Sequence, residues 1–249
     1  LWRCKMVDIH SHIAPALVDG ADSLDESLSI LEAAYESGTT HIVITPHYLN
    51  KSQCRFDVRK SDIEKAFSVL CEAKEKAKLP IEIFLGAEHF GVTDISRYAE
   101  EGKLVPINGS RYILVEFDFA DDIHRVGFVT GALQSHGFVP IIAHPERYFF
   151  LQNEPSGAFS LLEKGCLFQV NKGSPLGRYG PGPQALSKWF LDNHLAHFVA
   201  SDCHSPYQRT PRMNQAHEML TYRLGQAYVE RIFNENPMKV LNDQPITYG

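Results

Sequence analysis

Two histidines spaced i, i+2 end the first strand-like stretch of the chain, Met6-Val7-Asp8-Ile9-His10-Ser11-His12. On an extended strand, residues two apart point to one face. His10 and His12 can therefore offer neutral imidazole nitrogens to the same metal ion. A lone His-x-His is a weak signal. It gains weight because other short apolar runs also end in His, Asp or Glu: Ile42-Val43-Ile44-Thr45-Pro46-His47, Ile83-Phe84-Leu85-Gly86-Ala87-Glu88, Ile113-Leu114-Val115-Glu116, Ile141-Ile142-Ala143-His144 and Phe198-Val199-Ala200-Ser201-Asp202-Cys203-His204. The candidate ligands are His10, His12, Asp19, His47, Glu88, Glu116, His144, Asp202 and His204. Nine nitrogen and oxygen donors are too many for one ion; two or three ions with a bridging carboxylate suit them. Singly, each residue reads as a satisfied polar group or a helix cap, and the recurrence as a set favours metal. Asp19 is the least specific member, because Asp-Gly is an ordinary turn pair.

Two arginines follow the same pattern. Arg147 lies three residues after His144 and Arg209 five after His204, both in loops on the ligand side. A guanidinium beside cations calls for an anion between them, and phosphate pairs with arginine bidentately. The plainer reading is a surface ion pair with Glu146 or Asp121. A rival chemistry also passes through Arg209. Cys203-His204-Ser205-Pro206-Tyr207-Gln208-Arg209 fits Cys-x5-Arg, the loop of cysteine-dependent tyrosine phosphatases. That loop cradles phosphate with backbone N–H groups and lowers the thiol pKa. Here Pro206 lacks an N–H, the loop has no glycine, and adjacent Asp202 opposes a thiolate. The match is read as accidental.

Ligands at the ends of many strands converge only if the strands run parallel and close on themselves. The chain alternates strand and helix seven times. Strands are expected at Met6–His12, His41–Thr45, Ile81–Leu85, Tyr112–Phe117, Val139–Ala143, Leu167–Val170 and His197–Ala200. Between them, helices are expected near Leu24–Ala34, Ser61–Lys78, Asp94–Gly102, Val126–Ser135, Pro155–Lys164 and Gln184–Asn193. Two more, Pro211–Tyr222 and Gly225–Asn234, follow the last strand. A polar loop is expected from Tyr48 to Arg59 and a Gly/Pro-rich one from Asn171 to Pro183. This order predicts an α/β fold with right-handed crossovers. A doubly wound open sheet competes, but it could not bring both edges to one site.

The bulk properties agree. At 249 residues, the length suits one (β/α) barrel or two small domains, and 44% hydrophobic residues can fill a core. A net charge of -6 argues against a nucleic-acid surface. Five cysteines without paired spacing suit a reducing, cytoplasmic setting. No apolar run approaches a membrane span, and Leu1–Lys5 is no secretory signal. Met6 reads as a natural start behind a short leader. The remaining histidines read as structural: His41 and His197 open strands, and His136 and His194 sit at helix ends. His89, His124 and His217 are expected on the surface or in loops, with His124 able to overhang the site.

With these residues in view, the chain resembles the PHP (polymerase and histidinol phosphatase) superfamily over almost its whole length. The likeness is nearest to the manganese-dependent bacterial protein-tyrosine phosphatases of capsule and exopolysaccharide clusters, the CpsB/YwqE type. It rests on Val7-Asp8-Ile9-His10-Ser11-His12, Asp19-Gly20, Thr45-Pro46-His47, Gly86-Ala87-Glu88, Leu114-Val115-Glu116-Phe117, Ala143-His144-Pro145-Glu146-Arg147-Tyr148, Gln169-Val170-Asn171 and Ala200-Ser201-Asp202-Cys203-His204. The resemblance implies a distorted (β/α)7, TIM-like barrel spanning residues 1–249 as one domain, with the site at the C-terminal end of the strands. It implies three divalent metal ions, manganese before iron or zinc. One would sit on His10, His12, Glu88 and Asp202; a second on Glu88, Glu116 and His144; a third on Asp19, His47 and His204. The implied reaction is hydrolysis of phosphotyrosine on a bacterial tyrosine kinase by in-line attack of a hydroxide bridging the ions, with Arg147 and Arg209 binding the phosphoryl group. Histidinol phosphatases of the superfamily more often carry histidine where Asp19 and Glu116 stand. A small-molecule phosphomonoesterase is the alternative, and a non-catalytic barrel that binds phosphorylated tails a lesser one. The departures are Leu1–Lys5 and Cys203 between two ligands.

Overall fold

The computed structural model describes residues 5–17, 19–49 and 58–246. Leu1–Cys4 of the expected leader and residues 50–57 of the expected polar loop lie outside them. Among the described residues, nine strands run β1 Met6–Ser11, β2 Thr39–Ile44, β3 His47–Tyr48, β4 Glu82–Leu85, β5 Glu88–Phe90, β6 Tyr112–Glu116, β7 Val139–Ala143, β8 Leu167–Asn171 and β9 Phe198–Ala200. Every pairing is parallel, in the orders β1-β2-β4 and β3-β5-β6-β7-β8-β9.

The two sheets are one wall, because β2/β3 and β4/β5 are each a single run interrupted once. Pro46, which has no N–H to give the ladder, breaks the first. Gly86 breaks the second, where a Cβ would lie 2.9 Å from Val43 Cγ1. The wall closes where Ser11 bridges Cys203 in parallel. Asp202 N donates to His10 O at 2.9 Å and His12 N to Cys203 O at 2.8 Å. This closure sets aside the open sheet and brings seven runs of strand into a barrel.

Around the barrel lie α1 Leu24–Glu36, α2 Lys60–Lys76, α3 Ile95–Glu100, α4 Ile123–Ser135, α5 Phe149–Asn153, α6 Gly157–Glu163, α7 Pro181–Asp192, α8 Asn214–Leu224, α9 Gln226–Glu230 and α10 Asn236–Leu241. A π-helical turn, Arg231–Glu235, joins the last two. Ser23 caps α1 by accepting from Glu26 N, and Asp122 caps α4 by accepting from Arg125 N. The Asp122 cap starts α4 three residues before the expected Val126. Helix α7 starts at Pro181 rather than Gln184, since proline is tolerated in a first turn. Helices α5 and α10 are additions to the sequence reading. No helix among the described residues is long and apolar enough to cross a membrane.

Val7, Ile9, Leu114, Ile141, Ala143, Phe198 and Ala200 share one buried cluster within the barrel. A larger cluster, with Ile113, Val115, Ile142, Phe168 and Val199, packs the outer face against the helices. Strand β1 needs an irregularity to serve both core and site. Asp8 pairs with Ile42 but Ser11 with Ile44, so β1 carries one extra residue between them. That bulge shifts the alternation: Val7 and Ile9 face the core, and so do His10 and His12 beyond it.

Two histidines expected outside are buried. His89 is fully buried on β5, its Nδ1 donating to Leu114 O at 3.1 Å and its Nε2 accepting from Val105 N at 3.1 Å. His217 is buried on α8 against Phe233. His124 is exposed on α4.

Candidate metal centre

The barrel delivers all nine candidate ligands to the carboxyl ends of its strands. His10 is the last residue but one of β1 and His12 follows the strand; His47 opens β3, Glu88 opens β5, and Glu116 ends β6. His144 follows β7, while Asp202 and His204 follow β9. Asp19 reaches in from the loop after β1. Its side chain is 46% exposed, whereas the other eight are buried or nearly so.

Glu88 stands at the centre. Its Oε1 lies 3.3 Å from His10 Nε2 and 3.0 Å from His144 Nε2. Its Oε2 lies 3.2 Å from His12 Nε2 and 3.0 Å from His47 Nδ1. Asp202 Oδ1 is 3.5 Å from His10 Nε2 and 3.4 Å from His12 Nε2. Asp19 Oδ2 is 3.1 Å from His204 Nε2 and 3.5 Å from His47 Nε2. Glu116 Oε1 is 2.8 Å from His47 Nδ1. The side chains fall into four groups able to hold an ion: His12, Asp19, His47 and His204; His10, Glu88 and His144; His10, His12 and Asp202; and His47, Glu88 and Glu116. Glu116 and His144 thus meet through Glu88, not directly.

The donor chemistry fits cations. Four carboxylates and five imidazoles converge in one site, buried or nearly so except at Asp19. His10 Nε2 and His12 Nε2 are only 3.2 Å apart. His12 Nδ1, His47 Nδ1, His144 Nδ1 and Glu88 Oε2 are buried without an aligned hydrogen bond. Burial and the Coulomb repulsion of His47 work against charge on His12, yet the neighbouring Asp19, Asp202 and Glu88 carboxylates push it up to about 10. Burial opposes charge on Asp202 and Glu88 too, but neighbouring histidines, His10 foremost, hold both carboxyls well below their usual range. Burial pushes His204 down to about 4. The site is therefore a dense set of ionised carboxylates that needs positive charge among them.

Strand β8 supplies no ligand but completes the ring. His10 Nδ1 donates to Gln169 Oε1 at 2.7 Å. Gln169 Nε2 donates to Asn171 Oδ1 at 2.9 Å, and Asn171 Nδ2 to Asp202 Oδ2 at 2.6 Å. This amide relay fixes the His10 tautomer with Nε2 facing the site and orients Asp202. Sequence reasoning used Gln169-Val170-Asn171 only as part of the resemblance and gave neither amide a role, although two amides spaced i, i+2 on a buried strand are a usable signal. It also missed Glu146 as a structural tie. The Glu146 carboxylate accepts from Asn171 N at 2.9 Å and Ser174 Oγ at 2.6 Å.

Both arginines border the cluster. Arg147 Nη1 is 3.8 Å and Arg209 Nη2 2.5 Å from the Asp202 carboxylate. Arg209 Nε is buried without a hydrogen-bond partner. Arg147, expected to pair with Glu146 or Asp121 if merely a surface residue, instead lies 4.3 Å over the Phe119 ring. His144, Asp202 and Arg209 all adopt left-handed backbone, with φ of 35°, 50° and 48°. Such strain concentrates where surrounding structure enforces a functional geometry.

Cys203 points the other way. It is fully buried in the apolar cluster with Ile13, Ile30 and Leu31. Burial, then Asp8, pushes its thiol up to about 12. Neither fits a nucleophilic thiolate.

Known proteins share this architecture. Residues 6–242 match the family of capsular polysaccharide synthesis, CpsB/CapC. The chain is 34% identical to the putative tyrosine-protein phosphatase CapC of Staphylococcus aureus, over 97% of this chain and 93% of that protein. It is 31% identical to the tyrosine-protein phosphatase YwqE of Bacillus subtilis, over 97% and 93%. The solved structures of Bacillus subtilis YwqE and Streptococcus pneumoniae CpsB are described as unique metal-dependent tyrosine phosphatases. One such chain superposes with a TM-score of 0.90 at 30% identity, covering 97% of this chain and 96% of its own. A lactonase from Listeria monocytogenes shares the fold alone, with a TM-score of 0.61 at 11% identity. By its match over nearly the whole length, the chain belongs to the CpsB/CapC family.

Proposed function

We propose that this protein is a metal-dependent protein-tyrosine phosphatase whose substrate is phosphotyrosine on a bacterial tyrosine kinase of capsule or exopolysaccharide synthesis. The observation that carries the reading is Glu88, with one carboxylate oxygen in each of two ligand groups, beside two arginines that share Asp202. Three divalent ions, manganese before iron or zinc, would sit on His10, His12, Glu88 and Asp202; on Glu88, Glu116 and His144; and on Asp19, His47 and His204. Ions held there would supply Lewis acidity and a nucleophile drawn from water at neutral pH. Arg147 and Arg209 bind the phosphoryl oxygens and stabilise the charge that develops on them. A tyrosine phenolate, with a pKa of about 10, leaves with less help from a proton donor than an alkoxide needs.

The relay on β8 makes a prediction of its own. Asn171→Leu removes the donor to Asp202 Oδ2 while keeping the branching at Cγ. Metal affinity is expected to fall by about 10- to 100-fold, as for loss of other outer partners of a ligand. Competition with a coloured chelator reads this directly; unchanged affinity would make the relay purely structural.

The function itself is tested by turnover of a phosphotyrosine peptide against histidinol phosphate on one metal-loaded sample. Preference for the peptide is expected. Preference for histidinol phosphate would move the protein to small-molecule chemistry. Tight binding of phosphopeptide without turnover would make it a binding barrel.

A further inference from the structure

Arg147 and Arg209 sit on separate loops, and both reach toward Asp202, at 3.8 Å and 2.5 Å. Long guanidinium side chains lose considerable rotamer freedom when fixed. A side chain beside both guanidinium groups can restrict that freedom. Tyr179 lies in the loop between β8 and α7. The Arg147 guanidinium carbon lies 5.2 Å from the centre of its ring. Its phenol lies close enough to the Arg209 guanidinium for the two to interact electrostatically. Burial, then Asp202, raises the pKa of that hydroxyl, so it stays protonated and neutral beside both arginines.

The ring has a built seat. Gly173 is buried beneath it, and a Cβ there would fall 2.8 Å from Tyr179 Cε2. Only a residue without a side chain lets the ring lie so close. The loop is also tied to the turn that carries Arg147. The Glu146 carboxylate accepts from Asn171 N and Ser174 Oγ, at 2.9 Å and 2.6 Å. The Tyr179 loop and the Arg147 turn are thereby held together.

We propose that Tyr179 is the positioning residue of the arginine pair: its ring holds Arg147, its hydroxyl holds Arg209, and together they set the gap that one phosphoryl group spans. This rests on the reading of the two arginines as phosphoryl-binding groups. Aromatic contact with a guanidinium strengthens as the pair is shielded from water, and both side chains here are half-buried.

The test is direct binding of inorganic phosphate to the metal-loaded full chain by calorimetry, with metal content measured beside it. Tyr179→Leu, which loses ring and hydroxyl, should weaken phosphate by about tenfold. Tyr179→Phe keeps the ring and should lose about threefold, a partial rescue. Gly173→Ala displaces the ring without touching Tyr179 and should weaken phosphate in the same direction. Combined with Tyr179→Leu it should add nothing, because both act through one side chain. Metal content should stay constant throughout. Equal phosphate affinity in Tyr179→Leu and the unaltered chain would overturn the proposal, as would multiplying effects in the double variant. The measurement needs no turnover, so the two readings fail separately. A protein that binds phosphate through Tyr179 yet leaves phosphotyrosine peptides intact overturns the phosphatase reading and not this one.

Discussion

Asp202→Ala is expected to lose more than about 100-fold in turnover, together with bound metal. Removing only an outer partner of a metal ligand costs about 10- to 100-fold, and Asp202 is proposed as a ligand itself. Its Oδ1 lies within 3.5 Å of two imidazole nitrogens, and its Oδ2 accepts from Asn171 at 2.6 Å. The alanine variant leaves the Asn171 amide and the Arg209 guanidinium without their acceptor, and puts uncompensated positive charge in a buried site. His12→Ala should behave alike, since His12 belongs to two of the four ligand groups. Metal stoichiometry and phosphate release, measured on variants with unchanged circular dichroism, decide the matter. Full metal content with near-normal turnover in either variant would remove that residue from the centre.

The second large effect concerns the arginines. Arg147→Ala and Arg209→Ala should each slow turnover while metal content holds, because neither guanidinium is a ligand. If each resembles an oxyanion-hole donor, the cost is on the order of 2.7–4 kcal/mol, or roughly 100- to 1,000-fold. Vanadate and phosphate inhibition should weaken in parallel. The side chains are 22% and 34% exposed, so substitution should disturb the fold little. Wild-type kinetics in the double variant would reduce both to surface residues.

The candidate ligands could be picked out in the sequence because all but Asp19 stand at or just beyond the end of an apolar strand-like run, and strand ends are where a parallel barrel gathers its chemistry. Closure of the barrel was legible only indirectly, from the need to bring His10 and Asp202 together. What escaped reading depends on partners from distant elements. His89 resembles a surface histidine until Leu114 O and Val105 N are seen to satisfy both ring nitrogens. Gln169 and Asn171 carry no charge and look like ordinary strand polars until they join His10 to Asp202. Tyr179, in a Gly/Pro-rich loop, has no local pattern that marks it. Helix α5, at five residues, is too short to show periodicity. Pro237 reads as a breaker but sits in the first turn of α10, where its missing N–H costs nothing. The β1 bulge leaves the His10/His12 spacing intact, so the motif was readable while the shift that turns it inward was not.

Metal and thiol chemistry both cleave phosphotyrosine, so activity alone does not separate them. The deciding measurement is phosphate release from a phosphotyrosine peptide by Cys203→Ser protein, before chelation, after it, and after manganese is returned. Serine is close in size to cysteine, and the Cys203 thiol faces an apolar cluster away from both arginines. Turnover near that of the unaltered chain is expected, with its loss on chelation and its recovery with manganese. A Cys203→Ser protein that is inactive with fold and metal content unchanged, or turnover indifferent to the chelator, would contradict the metal assignment.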